Sequence, residues 1–242
     1  MHAEELAKTI DHTLLRADGT VKDVERLCRE AARYHFAAVC VFPYFVPLAH
    51  QVLRGADVKV CAAIAFPFGA ESTRVKVVAA DEAVRCGADE VDVVINLPAM
   101  LSGDFGRVRD ELASVVRAVR LRSVNSGKGS VIVKAIIETC YLSTKMKKLA
   151  CAIVEQAGCD FVKTSTGLGP RGATVRDVEL LRDCVDAHVG VKASGGIRTL
   201  RDAEIMINAG AARIGTSAGV AIMKECLGVK TDGAGGARAA GA

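Results

Sequence analysis

The sequence is poor in aromatic residues and carries little net charge. It has no tryptophan, three tyrosines and seven phenylalanines among 242 residues. Proteins that bind single strands stack bases on aromatic side chains, and such a platform is missing here. Lysine and arginine number 32 against 28 acidic residues, and a net charge of +4 is too small for a basic nucleic-acid surface. We therefore expect no nucleic-acid partner.

Long hydrophobic runs are also missing. The longest apolar stretch, residues 36–49, has about 14 residues and contains Pro43 and Pro47. A membrane-spanning helix needs about 20 apolar residues, so we expect no membrane partner.

Disulfide and zinc motifs are absent as well. The nine cysteines form no Cys-x-x-Cys pair, and most lie in apolar segments where a free cysteine behaves as a small hydrophobic residue. This usage predicts a reduced, cytoplasmic protein without disulfides. Because histidine and cysteine never cluster at ligand spacing, we expect no bound metal and no cofactor.

Short apolar runs alternate with longer stretches of helical periodicity. The eight runs are residues 9–13, 37–42, 58–65, 90–96, 131–138, 161–165, 189–193 and 212–216. Apart from the first, they are nearly continuous, which is typical of strands buried on both faces. A glycine cap recurs where a helix passes into a strand, at Gly87, Gly158 and Gly210.

Eight strand–helix units predict an α/β fold, a single (β/α)8 TIM barrel over residues 1–228 with a short N-terminal helix. The segment 229–242 is rich in glycine and alanine and lacks an apolar face. It is predicted to be a flexible, disordered tail.

Four charged residues lie inside apolar runs where core residues are expected: Asp92, Lys134, Lys163 and Lys192. A single lysine of this kind usually lies at a sheet edge or reaches water along its stem, because burying its charge is costly. Three lysines on three separate apolar runs are harder to explain in this way, and they favour a functional role for these side chains. Strand alternation brings the ammonium groups of Lys163 and Lys192 together if both side chains point into the barrel.

Two neighbouring ammonium groups make it easier for one of them to lose its proton. At about 6 Å and an effective dielectric constant of about 20 their repulsion is roughly 3 kcal/mol, and burial acts in the same direction. A lysine that is a free amine at neutral pH attacks carbonyl carbons and forms a Schiff base. The pattern therefore indicates carbonyl chemistry that requires no metal.

Two glycine-rich loops indicate a phosphate site. Gly195 and Gly196 follow the seventh run, and Gly215-Thr216-Ser217 closes the eighth. In a (β/α)8 barrel the loops after strands seven and eight, with a helix N-terminus behind them, commonly bind phosphate through backbone N–H groups.

In several motifs along its length, the sequence resembles the deoxyribose-phosphate aldolase family. The motifs that carry the resemblance are Ile10-Asp11-His12-Thr13-Leu14-Leu15, the Asp92 strand, Lys163-Thr164-Ser165-Thr166-Gly167, Lys192-Ala193-Ser194-Gly195-Gly196-Ile197-Arg198 and Ile214-Gly215-Thr216-Ser217. The resemblance implies a class I lyase of carbohydrate catabolism. Such an enzyme reversibly cleaves 2-deoxy-D-ribose 5-phosphate to D-glyceraldehyde 3-phosphate and acetaldehyde.

The resemblance also implies roles for individual residues. Lys163 is expected to form the Schiff base, Lys192 to be its proton-relay partner and Asp92 to handle protons. The residues expected to bind the substrate phosphate are Gly167, Gly195, Gly196, Gly215, Thr216 and Ser217. Independently of the resemblance, Asp11, Thr13, Cys40 and Lys134 are candidates for lining the substrate site. Core packing is the favoured interpretation of Cys40, and Lys134 is expected in the polar barrel interior.

Some positions depart from the family pattern, namely Phe42, Leu168, Pro170, Arg171 and Ala218. None of them belongs to the expected catalytic trio. His12 is interpreted as a structural hydrogen-bonding residue and Glu138 as a residue that orients groups at the mouth. We expect a homo-oligomer, with a dimer favoured.

Two other functions stay open at this point. Another TIM-barrel enzyme of phosphorylated sugars would share the phosphate loops without needing a lysine pair. A non-catalytic sugar-phosphate sensor would not need three ionisable groups directed at one cavity.

Overall fold

Eight parallel strands close into a barrel in the computed structural model, which describes residues 1–127 and 129–229. The strands are β1 (Ile10–Leu14), β2 (Ala38–Val41), β3 (Lys59–Ile64), β4 (Glu90–Val94), β5 (Ile132–Ile136), β6 (Phe161–Lys163), β7 (Gly190–Ser194) and β8 (Arg213–Thr216). Each strand pairs with the next, and β8 pairs with β1. Each predicted run overlaps one observed strand, so the (β/α)8 prediction is confirmed.

Helices surround the barrel. They are α1 (Ala3–Ala7), α2 (Val21–Tyr34), α3 (Val46–Val52), α4 (Thr73–Arg85), α5 (Leu97–Leu101), α6 (Phe105–Asn125), α7 (Thr144–Gln156), α8 (Val175–Cys184), α9 (Leu200–Asn208) and α10 (Gly219–Cys226). None of these described helices is both long enough and apolar enough to cross a membrane. The predicted short N-terminal helix is α1. Apart from Val229, the predicted tail lies outside the described residues.

The helix ends follow the local sequence. Thr20 caps α2 by accepting a hydrogen bond from the Asp23 N–H, and the Asp23 carboxylate in turn accepts from the Thr20 N–H. This reciprocal arrangement satisfies donors that the first helical turn leaves unpaired. At the three predicted glycine junctions φ is +116° at Gly87, +77° at Gly158 and +107° at Gly210. These are conformations that glycine adopts without steric cost.

The two faces of each strand meet different surroundings. The outward-facing apolar residues, such as Val39, Val91 and Val191, belong to the large core shared with the helices. The inward-facing residues fill the barrel itself. On β2 and β3 they form a separate small cluster of Ala38, Cys40, Cys61 and Ala63. Most of the other strands direct charged side chains inward, and these build the candidate site.

Candidate active site

A cluster of seven charged side chains occupies the barrel interior, and we call it the charge cluster. Its members are Asp11, Glu90, Asp92, Lys134, Lys163, Lys192 and Arg213. They come from six strands, and all except the mostly buried Arg213 are fully buried residues. Charges this deep are tolerated only when they are paired.

Asp92 is the centre of the charge cluster. Its Oδ2 accepts hydrogen bonds from Lys163 Nζ at 2.8 Å and Lys192 Nζ at 2.7 Å, and its Oδ1 accepts one from Lys134 Nζ at 2.7 Å. Burial alone would raise the pKa of the Asp92 carboxyl, but the three ammonium groups hold it well below its usual range. Asp92 is therefore ionised at neutral pH.

Asp11 and Glu90 supply the remaining negative charge. Lys192 also donates to Asp11, and Lys134 donates to Glu90 at 2.5 Å. Arg213 donates to both carboxylates. Burial would lower the pKa values of Lys134 and Lys192, but the facing carboxylates outweigh it and raise both. These two lysines therefore stay protonated.

The charges of the cluster do not cancel. Four cationic side chains face three carboxylates, which leaves one positive charge in excess. Lys163 contacts one carboxylate among the described residues, that of Asp92, whereas Lys192 contacts two. Without Lys163 the other six side chains of the charge cluster balance, three cations against three carboxylates.

This geometry refines the expected lysine pair. Lys163 and Lys192 are register partners on β6 and β7, so the expected proximity is observed. Their ammonium groups do not face each other unscreened, however, because both bind the same oxygen of Asp92. A shared carboxylate between the two lysines thus replaces the unscreened pair that the sequence indicated.

A cavity of about 450 Å³ opens at the C-terminal ends of the strands, above the charge cluster. All six residues expected to bind phosphate line it: Gly167, Gly195, Gly196, Gly215, Thr216 and Ser217. Lys163 is the member of the charge cluster that reaches this cavity in the described part of the chain. Such a cavity can hold a carbonyl compound with an anionic end, with the carbonyl group at Lys163 and the anionic group at the glycine loops.

The expected lining residues separate into two groups. Thr13 lines the cavity, and its hydroxyl donates to the Asp11 carbonyl at 2.9 Å. The other three, Asp11, Cys40 and Lys134, are fully buried in the barrel and are not part of the cavity wall among the described residues. Asp11 and Lys134 belong to the charge cluster instead.

The phosphate loops depend on glycine. Gly167 and Gly195 both have φ of +89°, and a Cβ at Gly195 would come within 3.1 Å of the Gly167 Cα. Thr216 donates to the Ile197 carbonyl at 2.7 Å and accepts from the Ala218 N–H at 2.9 Å, which ties the loop after β8 to the loop after β7. Helix α10 begins directly behind these residues.

Three arginines at the cavity rim were not identified from the sequence. Arg16 and Arg26 both pair with Asp23, whereas the Arg198 side chain has no salt-bridge partner in the described segments. Arg198 lies two residues after the glycine pair that follows β7, and its place in this loop could have identified it from the sequence. A rim of guanidinium groups suits an anionic substrate.

Two members of the charge cluster, Glu90 and Arg213, were also missed. Glu90 precedes Asp92 by two residues on β4, so strand alternation puts both side chains on the same face. Arg213 likewise precedes Gly215 by two residues on β8 and shares its face. The alternation rule could have found them. Their mutual contact, in contrast, joins β4 to β8 across the barrel.

Glu138 and His12 stabilise the surroundings of the cavity. Glu138 accepts from the N–H of Thr166 at 3.1 Å and from its hydroxyl, which fixes the loop that follows Lys163. His12 Nε2 lies 2.9 Å from the Glu30 carboxylate on α2, in keeping with its interpretation as a structural hydrogen-bonding residue.

Within the described residues, one group of side chains has the spacing of a metal site. Ligand atoms of Cys40, Cys61 and Asp92 lie within 4.8 Å of one another. Three ammonium groups already bind the Asp92 carboxylate and would repel a cation. These residues fit a metal poorly.

Comparison with known proteins agrees with this geometry. Residues 6–225 match the family model described as DeoC/LacD family aldolase. The chain is 52% identical over 220 residues to the deoxyribose-phosphate aldolase of Thermoanaerobacter sp. (strain X514), covering 91% of this chain and 96% of that relative. It is 51% identical over 220 residues to that of Caldanaerobacter subterraneus subsp. tengcongensis, with coverage of 91% and 93%.

A solved structure is similar throughout as well. The tetrameric deoxyribose phosphate aldolase of Aeropyrum pernix superimposes with a TM-score of 0.84 at 34% identity, covering 94% of this chain and 93% of the other.

Proposed function

Because the chain belongs to the DeoC/LacD aldolase family, we propose that it is a class I aldolase that cleaves 2-deoxy-D-ribose 5-phosphate reversibly to D-glyceraldehyde 3-phosphate and acetaldehyde. The observation that carries this proposal is the position of Lys163. It reaches the cavity and at the same time contacts Asp92, at the centre of a charge cluster whose other six members balance in charge. The proposed substrate is that of the deoxyribose-phosphate aldolases to which the chain is similar.

The first step is formation of an imine. The neutral amine of Lys163 adds to the C1 aldehyde of the open-chain sugar. The resulting carbinolamine hydroxyl takes up the proton that Lys163 had released, through the water beside Asp92, and leaves as water to give a protonated imine. The positive charge on this nitrogen replaces the ammonium charge that Lys163 lost. Asp92, ionised and 2.8 Å from Lys163 Nζ, stabilises it.

Cleavage then shifts electrons from the C3 hydroxyl towards the imine nitrogen and releases one proton. The C2–C3 bond breaks, its electron pair forms the C1–C2 double bond of an enamine, and the imine nitrogen becomes neutral. The C3 hydroxyl gives up its proton and becomes the aldehyde of glyceraldehyde 3-phosphate. Protonation of C2 followed by hydrolysis of the imine releases acetaldehyde and restores Lys163.

Asp92 and Lys192 are proposed to relay this proton, with a water carrying it from the substrate to Asp92. The proton lost by the C3 hydroxyl equals the one gained by C2, so the relay has to pass a proton on but not to store it. That suits Asp92, whose carboxyl has a pKa well below its usual range and whose Oδ2 touches Lys192 Nζ at 2.7 Å.

The phosphate is proposed to bind at the glycine loops, remote from Lys163. Gly167, Gly195, Gly196 and Gly215 allow backbone N–H groups to approach an anion closely, and Arg198 adds a positive charge. Thr216 and Ser217 complete the binding set at the start of α10.

Borohydride trapping tests the proposal. Incubation with acetaldehyde and borohydride should attach a reduced two-carbon adduct to Lys163, located by mass mapping, and Lys163→Ala should lose both the adduct and aldol activity. An adduct that persists in Lys163→Ala would overturn the assignment. A sugar-phosphate sensor would bind deoxyribose 5-phosphate without cleaving it.

Removal of metal ions is a second test of the same proposal. Activity is expected to survive exhaustive EDTA treatment, because the imine itself withdraws electrons. Loss of activity that zinc restores would favour a metal-dependent aldolase.

The proposal extends to assembly and location. We infer a homo-oligomer and favour a dimer, although the Aeropyrum pernix relative is a tetramer, and sedimentation velocity distinguishes the two. All nine cysteines are free, which supports a reduced compartment such as the cytoplasm.

A further inference from the structure

The Ser194 side chain has an unusual position at the base of the cavity. Ser194 ends β7 and lines the cavity, yet its Oγ is buried and has no hydrogen-bond partner among the described residues. Buried hydroxyls nearly always have a partner, because leaving one unpaired costs free energy. The unpaired hydroxyl of Ser194 therefore points to a ligand as its hydrogen-bond partner.

The backbone of Ser194 is fixed on both sides. Its N–H donates to the Thr164 hydroxyl at 3.1 Å, and its carbonyl accepts from that hydroxyl at 3.3 Å and from the Ala173 N–H at 3.0 Å. The side chain therefore projects from a rigid strand end, and its hydroxyl is left available.

Gly215 leaves room for this hydroxyl. A Cβ at Gly215 would overlap Ser194 Oγ and would also lie 3.2 Å from the Lys192 Cε. Ser194 Oγ and the end of the Lys192 side chain thus flank the same point in space. Strand alternation agrees, because Ser194 follows Lys192 by two residues on the inward face.

A second serine provides a contrast. Ser165 Oγ is also buried without a partner, but Ser165 is not part of the cavity wall in the described residues. Of these two serines, Ser194 is therefore the one that a ligand in the cavity can reach. A hydroxyl both donates and accepts, so its natural partner is another hydroxyl or a carbonyl oxygen.

We propose that Ser194 is a specificity-determining residue that hydrogen-bonds the C3 hydroxyl of the substrate. This inference rests on the proposed function. With C1 on Lys163 and the phosphate at the loop that starts at Gly195, the middle of the sugar lies beside Ser194. C3 carries the proton that moves on cleavage, and Ser194 adjoins Lys192, the proposed relay partner.

The hydroxyl of Ser194 serves both sides of the reaction. It donates a hydrogen bond to the C3 oxygen before cleavage, which leaves the C3 proton free for the water that leads to Asp92, and it donates to the same oxygen once cleavage has made it the aldehyde oxygen. Acetaldehyde has no corresponding hydroxyl, so imine formation with acetaldehyde does not use Ser194.

The test compares two reactions in Ser194→Ala. We expect kcat/KM for cleavage of deoxyribose 5-phosphate to fall about 100-fold, at the lower end of the range for a lost donor to a reacting oxygen. The rate of borohydride trapping with acetaldehyde should stay within about twofold of wild type. Ser194→Cys keeps the shape of the side chain but forms weaker hydrogen bonds. Its cleavage rate should lie between those of wild type and Ser194→Ala.

Ser165→Ala is the matched control, since it removes an equally buried and unpaired hydroxyl one strand away. Its cleavage rate should stay within about twofold. Unchanged cleavage in Ser194→Ala, an equal loss of trapping, or an equal loss in Ser165→Ala would each overturn the inference. If wild type neither traps acetaldehyde nor cleaves the sugar phosphate, the proposed function itself fails.

Discussion

The two sides of the barrel interior differ in the size and charge of their side chains. The side formed by β2 and β3 contributes Ala38, Cys40, Cys61 and Ala63, which are small and uncharged. The opposite side contributes the four cations and three carboxylates of the charge cluster. One boundary runs between β1 and β2 and the other between β3 and β4, where Cys61 donates to Asp92 Oδ1 at 3.1 Å.

This difference shows how a barrel can bury so many charges. Small residues on one side leave space for the long lysine side chains, and Lys134 Nζ reaches to 3.5 Å from Cys61 Sγ. The charged groups can then meet around Asp92 rather than separately. Chemistry is thus expected to depend on the charged side, while the small side provides the volume.

Asp92→Asn should give the largest effect, because it removes the carboxylate shared by three ammonium groups. We expect kcat to fall by roughly 100-fold or more and the free energy of unfolding to fall by about 3–5 kcal/mol, as when a buried ion pair loses one partner. Steady-state kinetics and urea unfolding measure both. Asp110→Asn on the exposed face of α6 is the control, and activity within tenfold of wild type in Asp92→Asn would contradict the central position of Asp92.

Lys192→Met should have the next largest effect. Loss of one positive charge makes the charge cluster neutral with Lys163 still protonated, so acetaldehyde trapping should need a higher pH. Neutral-pH activity is expected to fall roughly tenfold or more, and Lys192→Arg, which keeps the charge, should retain the pH profile better. Trapping rate against pH is the measurement. An unmoved profile in Lys192→Met would make Lys134 the next candidate for the electrostatic partner.

Acid should destabilise the charged side selectively. Burial would raise the pKa of Asp11, but Lys192 and Arg213 hold it well below its usual range. A carboxylate whose folded-state pKa is depressed contributes its full stability above the unfolded value, about 3.9, and loses it as the pH falls toward the folded value.

Urea unfolding between pH 7 and pH 3 checks this sign. The free energy of unfolding of wild type should fall below about pH 4, and Asp11→Asn should show a shallower fall from a lower starting value. Equal slopes for the two proteins would mean that Asp11 does not contribute to acid unfolding.

Cys40→Ala should have the smallest effect, because it changes the uncharged side alone. It removes one buried sulfur, which costs about 1 kcal/mol of stability on the scale of small core deletions. The cleavage rate is expected to stay within about threefold of wild type. A tenfold loss would show that the small side takes part in the chemistry and would remove the distinction between the two sides.

Much of the fold and part of the candidate site could be predicted from the sequence. The strands were found because apolar, β-branched runs ended at glycine caps, and the three interior lysines stood out because charge is rare within such runs. The counterions of Lys192 and Lys163 were harder to identify. Asp11 and Lys192 are 181 positions apart, and only closure of β8 onto β1 joins the two ends of the barrel.

The cavity wall was harder still. Thr13 and Cys40 are register partners on β1 and β2, yet Thr13 lines the cavity and Cys40 lies below it. Strand register and tilt decide such depth, and neither can be read from alternation. The same limit hid Ser194, whose free hydroxyl depends on the missing side chain of Gly215 on the neighbouring strand.

The sequence by itself determined the order of strands and helices, the closed barrel and the residues that carry charge inward, because these follow from local periodicity and from the cost of burying charge. Tertiary structure alone decided which carboxylate neutralises which lysine, since electrostatic energy depends on distances that the closed barrel creates. It also decided that Lys163 reaches the cavity while Asp92 and Lys192 lie beneath it, because depth along the barrel axis is a property of all eight strands together.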